Sequence, residues 1–175
     1  NVVAAVVTII ILPLVGRFSD KYGNRELLKI GGFLIPIIPI LWMLSPSALY
    51  IILVPQIISG IGWGFFNFGV SNFIYDSVSP PRRAICVAYF NVLAGILIFL
   101  GASIGGLLAQ YLPIAFMNKL LFLFLISAVL RFIVYISLMR TIKEIRPVKK
   151  SRYNFLILMK EIKSSREGLW SIFFP

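Results

Sequence analysis

Five stretches of the chain are apolar almost without interruption: 1–15, 28–44, 49–75, 84–109 and 120–139. None alternates between apolar and polar positions in the manner of a barrel strand. A helix needs about 20 apolar residues to cross the hydrocarbon, and the first run falls a turn or two short of that. In lipid such runs are helical, because every backbone N–H and C=O must find its partner within the segment. Pro13, Pro36, Pro39 and Pro55 lie inside them, and packed membrane helices accommodate proline as a kink. The pattern predicts an all-α integral membrane protein, with five transmembrane helices in 1–141 and a basic, partly amphipathic tail over 142–175.

Composition agrees with the pattern. Of 175 residues, 59% are hydrophobic and 13% charged, with a mean hydropathy of +0.96. A soluble domain carries roughly 25% charged residues, so this chain has too few to cover a surface in water. The net charge of +11 raises nucleic acid as a partner. The distribution of the charges rejects it, since they sit between and after the apolar runs. The expected partner is the lipid bilayer. Cys86 is the only cysteine and histidine is absent, so neither a disulfide nor a metal centre is expected, and no cofactor is implied. Asn1 opens directly on an apolar run without a basic segment, unlike a signal peptide. The expectation is a fragment whose start is missing.

Charge also orders the connections. Arg17, Lys21, Arg25 and Lys29 lie at the first, none at "SPSA", Arg82 and Arg83 at the third, and Lys119 alone at the fourth; the tail is dense in lysine and arginine from Arg140 onward. This alternation places connections one and three and the tail in the cytoplasm, in a multi-pass protein of the cell membrane. Phe155, Leu158, Met159 and Ile162 recur at helical spacing among basic residues in the tail. An amphipathic helix on anionic lipid and a solvated basic tail both fit.

The first connection is the most informative stretch. "GRFSDKYGNRELL", residues 16–28, holds Gly16, Asp20, Lys21, Gly23 and Arg25 between two spans. Gly16 permits close approach of neighbouring helices, Gly23 a tight turn, and Asp20 is an acid able to take hydrogen bonds or an arginine at the membrane edge. The segment resembles the signature cytoplasmic loop of the major facilitator superfamily, with Asn24 where a basic residue is common. The resemblance implies a conformational latch that holds the cytoplasmic side closed when the transporter opens outward. It also implies that the spans are helices two to six of a six-helix half, the first being missing. "NFIYDSVSPPRRAICVAYFNVLAGI" is more similar to the second half, giving helices eight to twelve. Gly101 and Gly105 in the fourth run form a GxxxG pair suited to helix packing.

The third run would line the central cavity of such a fold. Gln56, Trp63 and Asn67 fall at i, i+7 and i+11 on one face, with Gly60 between them and Ser71 extending it. A buried amide needs a partner. A water-filled cavity, a substrate or a neighbouring helix could supply it. Asp76, near the end of this run, is expected to meet Arg82 or Arg83, as a cytoplasmic gate or as a plain interfacial pair, or to cap the following helix. Arg131 is the only charge deep within a run. It is expected either to meet a charge partner in the missing half or to pair with backbone carbonyls. No acidic residue lies within a run, so a proton-coupling group is not evident. HExxH and GxSxG patterns are absent as well, which disfavours an enzyme. The function these features predict is secondary transport of a small solute by alternating access, as part of a larger transporter. A membrane protein of the same fold acting as receptor, scaffold or assembly partner is the alternative.

Overall fold

A computed structural model describes residues 2–44, 47–111 and 118–145. The described residues form five long helices and one short turn of 3-10 helix: α1 (Val2–Tyr22), α2 (Asn24–Leu44), α3 (Ala48–Ser77), the turn Pro80–Arg82, α4 (Arg83–Tyr111) and α5 (Lys119–Thr141). All five are long and apolar enough to cross a membrane. The tail helix expected around Phe155–Ile162 lies outside the described residues, as does most of the fourth connection.

Each helix runs past the apolar stretch that predicts it, and α1 does so most. Instead of ending near Val15 it continues to Tyr22, taking in most of the charged segment. At 21 residues it spans about 31 Å, enough for the hydrocarbon core. Hydropathy marks where a helix meets lipid, not where its hydrogen bonds stop. The connection itself reduces to Gly23, whose φ of 87° is left-handed. Its N–H donates to the Ser19 carbonyl at 2.8 Å, closing α1, and α2 begins at the next residue. A residue with a Cβ is strained there.

α3 lies between α1 and α2, and α5 packs on α2; α4 touches α3 and α5 only slightly and has no buried residue. Glycines on α2 and α3 set the closest approaches. A Cβ on Gly31 would lie 2.6 Å from the Phe66 nitrogen and 2.7 Å from the Gly62 oxygen. A Cβ on Gly60 would lie 2.5 Å from the Ala4 oxygen. Backbones thus meet where side chains are absent. At the α1–α3 crossing the Thr8 hydroxyl sits 2.9 Å from both the Ala4 and Gly60 carbonyl oxygens. Its single proton serves one of them at a time. Val15, Phe18, Tyr22, Leu27 and Phe65 form the buried cluster, with the Phe18 ring tilted against Tyr22 at 4.6 Å and edge-on to Phe65 at 6.1 Å. This core lies at the basic end of the bundle, directly beneath the α1–α2 turn.

Candidate functional site

Two groups of polar residues stand out, one at the basic end and one along α3. The first is centred on Asn24, which is 0% exposed. Its side-chain oxygen accepts from the Ser19 hydroxyl at 2.5 Å, and its Nδ2 donates to the Asp76 carboxylate at 2.6 Å. This chain of bonds ties the end of α1 and the start of α2 to the end of α3, 52 residues away. An amide suits the position because it both accepts and donates. A lysine or arginine offers no acceptor to Ser19, and an aspartate no donor to Asp76. Asp76 thus takes a hydrogen bond from α2. Arg83 lies with its guanidinium 6.0 Å from the Tyr75 ring centre, and Arg82 is exposed.

Arg25 binds α5. Its backbone N–H donates to the Glu144 carboxylate at 2.7 Å, and its Nε donates to the Ile142 carbonyl at 2.7 Å. An anion at the first turn of α2 and a cation at the end of α5 both complement the helix dipoles. Lys29 pairs with Glu26 one turn away, and Lys21 lies 5.1 Å from the Tyr22 ring centre. Asp20 is on the exposed side of α1. Of the five residues singled out in the charged segment, Gly23 makes the turn and Arg25 reaches across helices. Gly16 has only Phe68 near an added Cβ, at an ordinary 3.9 Å. The hub, Asn24, is the position that reads from sequence as a departure from the pattern. Its signal was a polar, uncharged residue between charged ones, which by itself does not announce a buried partner.

Along α3, Gln56 is half-buried, Trp63 is 40% exposed and Asn67 is exposed. Among the described residues neither amide has a hydrogen-bond partner. Gly60, expected on the same face, is buried against α1 instead, so the open stripe is narrower than the spacing alone suggests. Gly101 and Gly105 on α4 have no described atom within 4 Å of an added Cβ. Arg131, from the middle of α5, reaches the Ile35 carbonyl of α2 with its Nη1 at 3.5 Å.

Five membrane-length helices, clasped at their basic end, define a multi-pass helical membrane protein. The Major Facilitator Superfamily pattern matches residues 2–174, and the chain belongs to that family. It is similar to Multidrug resistance protein 1 of Bacillus subtilis (strain 168), with 23% identity over 171 residues, 98% of this chain and 40% of that protein. The chain therefore spans well under half of that relative's length. No solved structure matches it significantly.

Proposed function

We propose that the chain is one part of a secondary transporter that moves a small solute across the cell membrane by alternating access. The observation that carries this reading is the pair of amides on α3. Gln56 and Asn67 sit on a membrane-length helix without a hydrogen-bond partner among the described residues. An amide facing hydrocarbon in that condition costs several kcal/mol. A hydrated pathway or a bound solute removes the cost, and Trp63 between them offers a face for an apolar or aromatic portion of the solute. Midplane sites between helical bundles, with rocking of one bundle against another, are the general form of such transporters. The similarity to a protein named for multidrug resistance supports transport of organic compounds.

The basic end faces the cytoplasm in this reading, and so does the tail. The Ser19–Asn24–Asp76 chain and the Arg25–Glu144 contact hold α1, α2, α3 and α5 as one body there. Asp20 and Lys21 lie on the exposed side of the segment, the side from which a latch to the remainder of the transporter would form. Counterflow of solutes by the full-length protein in proteoliposomes tests the reading. Gln56→Ala and Asn67→Ala are expected to lower exchange at least several-fold while membrane insertion is unchanged. Unaltered exchange in both variants would remove α3 from the pathway.

A further inference from the structure

Behind Trp63, between α2, α3 and α5, lies a cavity of about 290 Å³. Its walls include Gly32, Pro36, Trp63, Phe66, Arg131 and Tyr135. Three features of sequence open it. Gly32 leaves room for the Tyr135 ring, which would stand 3.0 Å from an added Cβ. Pro36 and Pro39 interrupt the hydrogen bonding of α2. Proline has no N–H, so Pro39 leaves the Ile35 carbonyl without its usual i+4 donor. Arg131 supplies one at 3.5 Å. That contact is long and occupies one of five guanidinium donors.

The guanidinium stands at mid-depth. Arg131 is twelve residues from Lys119 and ten from Thr141, about 18 Å and 15 Å from the two ends of α5. Its cost there is a few kcal/mol or more when unpaired. No acidic residue lines the cavity. The acidic residues of the described chain, Asp20, Glu26, Asp76 and Glu144, all lie at the basic end. A cation in an apolar, aromatic-walled recess with spare donors fits a carboxylate carried on an apolar body. A phospholipid phosphate is a poor fit, because it sits at the interface, about 15 Å from the bilayer centre. A carboxylic acid, by contrast, enters hydrocarbon in its neutral form and is held as the carboxylate beside the guanidinium, its proton passing to water.

We propose that this cavity is a binding site for a lipophilic carboxylate, entered from the membrane, with Arg131 as its anchor. The site shares Trp63 with the proposed solute face, but its test reads binding alone and stands or falls apart from the exchange assay. The probe is a dodecanoate bearing a photoactivatable diazirine, applied to the full-length protein in phosphatidylcholine vesicles. The expected labelling falls on peptides containing Trp63–Phe66 and residues 130–139. It should drop at least five-fold in Arg131→Gln, while the corresponding diazirine alcohol labels parent and variant equally weakly. In the parent alone, unlabelled dodecanoate should displace the probe and dodecyltrimethylammonium should not. That competition decides the matter even if Arg131→Gln does not fold. Equal labelling by acid and alcohol would overturn the proposal. So would displacement by the cationic amphiphile, or an absence of labelling because an acidic side chain from outside these spans already holds Arg131.

Discussion

Asn24 shows how much a single residue decides at the basic end. Its amide is buried and bonded on both sides, to Ser19 and to Asp76. Hydrogen bonds to charged groups contribute about 1.5–3 kcal/mol. Asn24→Ala is therefore expected to lower the stability of the bundle by about that amount, seen as a lower thermal midpoint in detergent. Asn24→Asp should cost more, because a second carboxylate would face Asp76 with no donor between them. It should also show a clear pH dependence, with stability recovering as acid protonates one of the two carboxyls. A midpoint for Asn24→Asp equal to that of the parent would show that the contact does not hold the helices together. The sequence made Asp20 and Arg25 conspicuous in this segment, because charge beside apolar runs is easy to see. It did not make Asn24 conspicuous, because the partner that gives the amide its role lies 52 residues away. Local spacing carries the turn at Gly23, which depends on one residue's own φ. It does not carry a bond made only when α3 has packed.

At the scale of helices, the described residues of each of the five apolar runs lie within one long helix, and the helices run on beyond the runs. The segment 16–22 is polar and still helical, since its N–H and C=O groups are satisfied whether or not its side chains meet lipid. The expected packing glycines were on α4, from a GxxxG spacing. The close approaches are made by Gly31, Gly60 and Gly62 on α2 and α3. Spacing shows that a helix offers a flat strip, but not which neighbour arrives to use it. The difference gives a paired prediction for residues 1–175 in detergent. Gly60→Ala places a Cβ 2.5 Å from the Ala4 oxygen and 2.8 Å from the Val7 Cβ. It should push α1 from α3, weaken the Thr8 bridge and cost about 1–3 kcal/mol, as overpacking does elsewhere. Gly101→Ala meets nothing within 4 Å and should lie within about 0.5 kcal/mol of the parent. Thermal melting of the two variants side by side checks both. Equal loss in each would mean that α4 is packed and that the Gly60 crossing is not the tight one.

For the molecule as a whole, the distribution of burial bears on what the chain can do alone. α2 is deeply packed between α3 and α5, whereas α4 has no buried residue and the amide stripe of α3 stands open. The chain covers 40% of the length of its Bacillus relative. On the proposed function, a cavity that opens alternately to two sides needs a second bundle to close it, and these five helices would supply one wall. The 175-residue chain expressed by itself is therefore expected to insert into membranes and to show no solute uptake above that of empty vesicles. Within the full-length protein, the proposed function expects the same helices to support exchange that is sensitive to Gln56 and Asn67. Insertion is read by protease protection of the basic connections, and uptake by radiolabelled solute in the same vesicles. Uptake by the short chain alone would mean that copies of it close the cavity on one another. In that case mixing parent with Gln56→Ala chains should lower uptake more steeply than in proportion to the variant's share, because one altered copy would impair each assembly it enters.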